Sequence, residues 1–444
     1  MLLFRFILLI VTASMAATQP LRAENTKPNI LFFLADDLGW KDLGTYGSTF
    51  YESPAIDQLA ADGLKFTNAY TASTVCSPTR ASIITGQTPA RHGCTDYGGR
   101  IDPEAHTGIA KALQDGGYQT FFTGKWHIGG MTPTKAGFAV SGEISARGAP
   151  KDDPKSTGII TRNTLRFLRK ADPKKPFFAS AHYHAVHLPL RERGELVDKY
   201  KAKLASHPPK SHGPVGLEKE RDRDNKQVQD IPEYGAMLEA VDTSVRQILD
   251  ALKESGRDKN TIVVFYSDNG GLSTKPCTSN LPLRAGKGWP YEGGIRVPLI
   301  IRWPNVVQKG STTDVPINSM DFYPTFLECA GLPLRPKEHV DGVSIRSLLT
   351  KESPPERETL FWHYPHYHGA GCTPVGALRD GDHKLIHWYG SGNFELYDLG
   401  NDTSELKNIS ADAPETLERL KQKLKAWQDS FSGLKYDNPS KFKK

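Results

Sequence analysis

The stretch Asn29-Ile30-Leu31-Phe32-Phe33-Leu34 is a short apolar run, and the acidic pair Asp36-Asp37 follows it closely. A second apolar run, Thr261-Ile262-Val263-Val264-Phe265-Tyr266, leads into Ser267-Asp268-Asn269-Gly270. Continuous apolar strands are typical of a parallel sheet that is covered on both faces. Ligands of such sheets bind beyond the carboxyl ends of the strands. We therefore expect the two polar clusters to meet at one edge of the sheet, although they lie far apart in the sequence.

Further segments extend this pattern of strands and helices. Strands are predicted at 119–123 and 177–183, and helices at 55–62, 78–85, 108–115 and 231–254. Beyond residue 350 the pattern changes to short strands at 376–379, 383–388 and 394–398, followed by an amphipathic helix over 413–431. The predicted fold class is therefore α/β: a large sheet flanked by helices, with a smaller C-terminal subdomain of antiparallel strands and a closing helix.

Composition and the first residues restrict the class of protein. The chain has 444 residues, 38% hydrophobic and 24% charged, with a net charge of +6, and its basic residues do not form one stripe, so a nucleic-acid partner is not expected. Residues 1–23 are typical of a secretory signal peptide, because their apolar run is followed by small residues and is too short to span a bilayer. We expect an exported protein, periplasmic or secreted, without a membrane span. Its main domain should cover 24–350 and its C-terminal subdomain 351–444.

The segment Cys76-Ser77-Pro78-Thr79-Arg80 stands out among the five cysteines of the chain. Ser77 is a suitable N-cap and Pro78 a suitable first helical residue, which would place Cys76 at the positive end of a helix. A buried structural cysteine is the alternative for position 76. Because an exported protein normally pairs its cysteines, an odd number leaves at least one over. The pairing of the other four stays open; they are Cys94, Cys277, Cys329 and Cys372.

Five motifs in order give the chain a resemblance to a known family. Pro28-Asn29-Ile30 through Asp36-Asp37, the Cys-x-Pro-x-Arg unit at 76–80, and Gly124-Lys125-Trp126-His127 come first. Ser267-Asp268-Asn269-Gly270 follows, and then Gly286-Lys287-Gly288 with Tyr291-Glu292-Gly293-Gly294. From about residue 27 to its end the chain resembles the type I, formylglycine-dependent sulfatases, the arylsulfatase family of the alkaline phosphatase superfamily. The resemblance implies an alkaline-phosphatase-like mixed sheet.

The resemblance also implies a modification and a metal. In this family a separate maturing enzyme oxidises the motif cysteine, here Cys76, to formylglycine, whose hydrated aldehyde attacks sulfur with one hydroxyl and releases sulfate through the other. Hard oxygen ligands favour Ca²⁺ or Mg²⁺ over zinc, and the family implies Ca²⁺. The expected ligands are Asp36, Asp37, Asp268, Asn269 and an oxygen of residue 76.

The remaining site residues take their roles from the same resemblance. Lys125 should bridge nucleophile and sulfate, and His127, two residues on and facing the same side in extended backbone, should take a proton during sulfate release. Arg80 should hold the hydroxyl of residue 76, and Lys287 should bind a sulfate oxygen. His187, in the sequence His187-Leu188-Pro189, matches the His-x-Pro pattern and should contact the ester and protonate the leaving alcohol. His182 and His184 are interpreted as strand or pocket histidines.

The segment 361–368, Phe-Trp-His-Tyr-Pro-His-Tyr-His, is dense in aromatic rings and histidines. One interpretation is a second metal site made by His363, His366 and His368. Another is a loop that stacks on a sugar and forms hydrogen bonds with it, which we favour because the C-terminal subdomain borders the pocket in this family. A packed aromatic loop is the third.

The functional prediction is hydrolysis of a sulfate monoester, on a sulfated carbohydrate. One alternative is a phosphate or phosphonate ester hydrolase on the same scaffold, because tetrahedral anions resemble one another at a site of metal and lysine. The other is a non-catalytic glycan-binding protein in which Cys76 stays a thiol. The sequence leaves open the sugar, the position of its sulfate, the endo or exo mode and the oligomeric state.

Overall fold

A computed structural model describes residues 27–144, 148–209, 216–275, 277–352, 354–431 and 434. Its main feature is a mixed sheet with the strand order β10-β2-β9-β8-β1-β5-β3-β4, to which β11 adds by pairing with β2. The strands of this sheet are β1 (Asn29–Ala35), β2 (Leu64–Tyr70), β3 (Gln119–Gly124), β4 (Val140–Glu143), β5 (Phe177–His182), β8 (Thr261–Ser267), β9 (Arg296–Arg302), β10 (Ser311–Thr313) and β11 (Ile317–Asn318). Strands β6 (Lys219–Glu220) and β7 (Arg223–Asp224) form a separate hairpin.

Helices cover both faces of the large sheet. The α-helices of the described residues, of which α11 packs on the C-terminal sheet instead, are α1 (Pro54–Ala61), α2 (Cys76–Thr85), α3 (Pro89–His92), α4 (Ile109–Asp115), α5 (Thr157–Lys170), α6 (Gly194–Ser206), α7 (Pro232–Glu254), α8 (Glu292–Ile295), α9 (Phe322–Cys329), α10 (Arg346–Leu349) and α11 (Pro414–Asp429). Strand β1 shows why the apolar run is continuous. Leu31 and Phe33 pack into one hydrophobic cluster with α5 and α7, whereas Ile30 and Phe32 pack into another with α2 and α9. Because both faces are buried, neither face needs polar residues.

The register of the central strands brings the two polar clusters together, as expected. Strands β1 and β8 are parallel neighbours, and Ala35 pairs with Ser267 at their ends. Asp36 and Asp268 therefore leave the sheet side by side. Strands β5 and β3 run parallel to β1 on its other side, so the segments that follow them reach the same edge.

The C-terminal sheet confirms the predicted antiparallel meander but has one strand more. Its order is β12-β13-β14-β15, from β12 (Thr359–Tyr364), β13 (Val375–Asp380), β14 (His383–Trp388) and β15 (Phe394–Asp398). Helix α11 packs Leu420 and Leu424 on one face of this sheet. The interpretation of 361–368 as a loop is wrong for its first half, since 359–364 forms β12. Buried Leu360 and Trp362 explain the aromatic density of that half by packing.

Buried charges join the C-terminal sheet to the large domain. Lys384 on β14 lies 3.0 Å from a carboxylate oxygen of Glu292 and 2.8 Å from one of Glu405, and all three side chains are buried. Burial alone would raise the pKa of Glu292, but Lys384 and Arg296 outweigh it and lower that pKa to about 2. Burial and the nearby Glu292 raise the pKa of Glu405 to about 7. Lys384 thus binds two buried carboxylates, and Arg296 adds a second positive charge at Glu292.

We expect Lys384→Met to destabilise the fold strongly. Removing one partner of a buried ion pair leaves uncompensated charge, which costs about 3–5 kcal/mol. Chemical unfolding followed by circular dichroism measures the change. Lys407→Met is the matched control, because Lys407 pairs with Asp412 on the surface and should cost no more than about 0.5 kcal/mol. Equal stability of the two variants would contradict the assignment of Lys384 as the link.

The sequence predicts a signal peptide at 1–23 and no membrane span. Within the part of the chain that the structure describes, no helix combines the length and the apolar composition needed to cross a membrane. The predicted signal peptide, 1–23, lies outside the described residues.

Candidate active site

Cys76 lies in the first turn of α2, close to the ends of the central strands. The helix begins at Cys76, with Val75 as its N-cap, so the prediction of Ser77 as N-cap is wrong by two residues. The Ser77 hydroxyl instead accepts a hydrogen bond from the Gly98 amide at 2.9 Å, which ties a surface loop to the helix. Cys76 still occupies the positive end of the helix, as predicted, and is only 2% exposed.

Arg80, one turn along α2, is the centre of the hydrogen bonds around Cys76. Its Nε and Nη2 atoms both lie 2.8 Å from Oδ2 of Asp268. Its Nη1 atom donates to the Lys125 carbonyl at 2.6 Å and to Nδ1 of His182 at 3.2 Å. Arg80 thus connects α2 to the segments that follow three different strands. Hydrogen bonds from Nε and Nη1, together with the ion pair to Asp268, orient the guanidinium and fix the position of its charge near Cys76.

Two lysines hold the acidic pair after β1. The Lys125 ammonium lies 2.6 Å from Oδ2 of Asp36, and the Lys287 ammonium lies 2.5 Å from Oδ1 of Asp37. All four side chains are largely buried. Burial alone would favour the neutral acid, but Lys125, His187 and Arg80 outweigh it and hold the pKa of Asp36 well below its usual range. Asp37 is lowered in the same way, chiefly by Lys287 against burial.

The positive side chains of the site do not fully compensate the carboxylate of Asp268. Burial, and then the neighbouring charge of Asp36, raise the pKa of Asp268 despite its bonds to Arg80. Carboxylates that crowd in a buried site raise one another's pKa unless positive charge separates them. The surroundings of Asp36 and Asp268 therefore favour an additional cation.

The oxygen atoms around Cys76 fit a hard divalent cation. Oδ1 of Asp36 and Oδ1 of Asn269 are buried and have no hydrogen-bond partner among the described residues. The Asn269 amide nitrogen donates to Asp37 at 2.8 Å and to the Gly270 carbonyl at 3.0 Å, so its oxygen is the atom left over. Ligand atoms of Asp36, Cys76 and Asp268 lie within 4.8 Å of one another. Buried oxygens without donors are suitable ligands for Ca²⁺ or Mg²⁺.

His127 contacts Cys76 directly. Its Nδ1 atom is 3.3 Å from Sγ of Cys76. The predicted geometry differs, however: β3 ends at Gly124, and His127 has a positive φ of 59°, so extended backbone does not place Lys125 and His127 on one side. Both side chains nevertheless reach the site. Burial, followed by the charges of Lys125 and Arg80, lowers the pKa of His127 to about 4, so the ring is neutral near pH 7 and able to accept a proton.

His187 lies beside the acidic pair Asp36-Asp37, on the side of the site that is open to solvent. Its Nε2 atom is 3.7 Å from Oδ2 of Asp37, and its side chain is 37% exposed. The Leu188 carbonyl accepts a hydrogen bond from Nδ1 at 2.6 Å, which leaves Nε2 for a ligand. The choice of His187 over the other two histidines is thus consistent with the geometry. His184 instead turns its Nε2 to the Ile144 carbonyl at 2.7 Å.

Two residues near the site were not assigned a role from the sequence. His182 accepts a hydrogen bond from Arg80 and donates through Nε2 to Ser180 at 2.8 Å, so it orients the guanidinium. Lys155 is 3% exposed, and its ammonium donates to the His187 carbonyl at 2.5 Å. The sequence had indicated only a strand or pocket histidine at position 182. No motif marked Lys155, because a lysine in a loop is usually solvated.

All five cysteines are buried and free, so none of the disulfide pairings left open by the sequence occurs in this structure. The unpaired state therefore does not set Cys76 apart from the other four cysteines. Its surroundings do.

The three histidines of 361–368 do not form a second metal site among the described residues. His363 is buried against the Tyr389 hydroxyl at 2.8 Å, and His366 contacts the Thr95 hydroxyl at 2.9 Å. His368 packs against Gly288, where a Cβ atom would lie 2.1 Å from its ring. The second half of the segment thus borders the Lys287 loop.

Comparison with known proteins decides the family. The family model described as Sulfatase matches residues 28–332, and a second model, "N-sulphoglucosamine sulphohydrolase, C-terminal", matches 285–430. The chain belongs to the sulfatase family. Members of this family are sulfuric ester hydrolases, and the chain is therefore an enzyme of that class.

Individual relatives of this sulfatase cover almost its whole length. It is 32% identical to a "Sulfatase" of Formosa agariphila, over 94% of this chain and 92% of the relative. It is 30% identical to human arylsulfatase A, over 94% of this chain and 90% of the relative. The crystal structure of Ps i-CgsB in complex with k-i-k-neocarrahexaose superposes with a TM-score of 0.75 at 27% identity, covering 93% of this chain and 94% of that one. The fold is accordingly alkaline-phosphatase-like, as the resemblance implied.

Proposed function

We propose that this sulfatase hydrolyses sulfate monoesters of carbohydrates, with a formylglycine made from Cys76 as its nucleophile and Ca²⁺ as its cation. The observation that carries the proposal is the position of the Cys76 sulfur, within 4.8 Å of carboxylate oxygens of Asp36 and Asp268 and 3.3 Å from Nδ1 of His127. The hydrated aldehyde would supply a hydroxyl that attacks sulfur and a second hydroxyl through which sulfate leaves. When bound, the cation would supply positive charge that makes the nucleophile more acidic and neutralises the sulfate.

The side chains around residue 76 would bind and orient the sulfate. Lys125 and Lys287 are buried ammonium groups, and their pKa values are raised because the neighbouring carboxylates and Cys76 outweigh the effect of burial. Both stay charged across the neutral range and would hold sulfate oxygens. Arg80 would fix the hydroxyl of residue 76. Because these groups are buried, water is largely excluded and their charges act at low dielectric.

Two histidines would move the protons. His127 is neutral near pH 7 and adjacent to residue 76, so it is placed to take the proton whose loss releases sulfate. His187 presents Nε2 on the open side, where the sugar would leave, and would donate a proton to the ester oxygen. His127 would thus act as a base at the hydroxyl of residue 76, and His187 as an acid at the ester oxygen.

The remaining parts of the proposal concern the substrate and the cell. The complex of Ps i-CgsB with k-i-k-neocarrahexaose supports a sulfated carbohydrate as substrate. We propose that the chain is exported after loss of residues 1–23, that a formylglycine-generating enzyme contacts it transiently, and that 24–350 and 351–444 act as main domain and subdomain.

Mass spectrometry of the peptide that contains Cys76 tests the modification. In protein from its native host, conversion should lower the peptide mass by about 18 Da relative to cysteine. Turnover of matched sulfate, phosphate and phosphonate esters should then show sulfate as the preferred substrate. An unmodified thiol in active protein would contradict the mechanism, and preference for phosphate would favour the phosphatase alternative.

We expect removal of the cation by a strong chelator to reduce turnover at least about a hundredfold, because the site then loses the positive charge that would separate Asp36 from Asp268 and neutralise the sulfate. Addition of Ca²⁺ should restore turnover, and addition of Mg²⁺ should restore less. The measurement is sulfate release after dialysis against chelator, with metal content followed in parallel. Full turnover in metal-free protein would contradict the cation site.

A further inference from the structure

Lys155 is a buried cation that the proposed reaction does not use. It lies between β4 and α5, and its ammonium donates one hydrogen bond of 2.5 Å, to the His187 carbonyl. In the described part of the chain no carboxylate lies within ion-pair distance of it, although Asp36 and Asp37 are near enough to act on it electrostatically. An ammonium has three donors. Two donors of Lys155 thus have no acceptor among the described residues.

Arg191 follows His187 by four residues in the chain and lies close enough to Lys155 to act on it electrostatically. Its side chain is exposed, and its charge reaches Lys155. The neighbouring acids have other partners: Asp153 accepts hydrogen bonds from the first amides of α5, and Glu192 pairs with Arg193. Burial lowers the pKa of Lys155 to about 8 against the pull of Asp36 and Asp37, so an anionic ligand would favour its charged form.

Lys155 has a different hydrogen-bond partner from the two lysines that hold the acidic pair. Lys125 and Lys287 contact the carboxylates at 2.6 and 2.5 Å and belong to the inner ring of charges. Lys155 contacts the backbone of His187 instead, which lies on the side where the sugar would leave. A neutral hydroxyl there would leave a buried ammonium without an anionic partner, which is costly.

We infer that Lys155 and Arg191 form a second anion subsite beside His187, which selects sulfated sugars that carry another anionic group next to the scissile ester. This group is a carboxylate or a second sulfate, since either one accepts charge-assisted hydrogen bonds from an ammonium and a guanidinium. The inference rests on the proposed function, because it concerns the part of the substrate that surrounds the ester.

Sulfated disaccharides that share one scissile ester test the subsite. Three substrates are compared, whose neighbouring group is a hydroxyl, a carboxylate or a second sulfate. The wild-type enzyme should prefer at least one anionic member by about tenfold or more in kcat/KM, and which member it prefers identifies the group. Lys155→Met and Arg191→Ala should each reduce this ratio towards one, and Lys155→Arg should retain most of it. Lys170→Met, an exposed lysine of α5, is the control that should leave the ratio unchanged.

The outcomes separate the subsite from the proposed reaction. Absence of any preference in the wild type, or a preference that survives both Lys155→Met and Arg191→Ala, would overturn the subsite. If Lys155→Met does not fold, Arg191→Ala, which changes an exposed side chain, tests the subsite instead. If no substrate releases sulfate, the proposed function fails instead. Calorimetric binding of the same disaccharides to the Cys76→Ala protein still decides the subsite in that case.

Discussion

Replacement of Cys76 by serine should give an enzyme that reacts once and then stops. A serine hydroxyl at this position has the same neighbours, His127 and Arg80, and can attack sulfur while the alcohol leaves with a proton from His187. It lacks the second hydroxyl through which sulfate would be released. We therefore expect a burst of one equivalent of alcohol and a stable enzyme sulfate ester, heavier by about 80 Da.

Rapid mixing with an aryl sulfate, followed by intact-protein mass spectrometry, measures both quantities. Cys76→Ala should show neither burst nor added mass. Cys329→Ser, which changes another buried free cysteine at the end of α9, is the matched control and should keep full turnover. Sustained turnover by Cys76→Ala would contradict the assignment of residue 76 as nucleophile.

The second large effect is expected for Asp36→Asn. Asp36 combines two roles, since Oδ2 binds Lys125 at 2.6 Å and Oδ1 is one of the buried oxygens without a donor. The amide removes a negative ligand from the cation and a counter-charge from the lysine. We expect kcat to fall at least about a thousandfold and bound Ca²⁺ to be lost.

Elemental analysis of the purified variant and turnover at saturating substrate check this prediction. Asp250→Asn, on the exposed side of α7, is the control that should retain both metal and activity. Metal content equal to the wild type, together with turnover within about tenfold, would show that Asp36 is not a ligand.

The parts of the site that were predicted from the sequence lie next to features that are visible in the local sequence. Asp36 and Asp268 directly follow apolar strands, and the pairing of Ala35 with Ser267 makes them neighbours, as the strand pattern implied. The C-terminal strands were predicted from alternation and turns for the same reason. The family resemblance then selected His187 among three histidines close in sequence.

What the sequence did not predict depends on contacts between distant segments. Lys155 acquires its position only when the loop before α5 packs under the turn that carries His187. Ser77 lies inside α2 and does not cap it; its hydroxyl accepts a hydrogen bond from Gly98, a partner that no local capping rule includes. Strand β12 was missed because residues 361–368 were interpreted as one loop beside the pocket, and only the pairing with β13 identifies its first half as a strand.

The burial of Cys76 has a consequence for how active molecules arise. With 2% of its surface exposed, the thiol is inaccessible to the active site of a second protein once the chain has folded. A conversion to formylglycine therefore has to happen on a nascent or still unfolded chain, in a race against folding. Under the proposed mechanism, molecules that fold before conversion would keep the thiol and stay inactive. The specific activity of a preparation would then depend on the fraction of molecules that were converted before they folded.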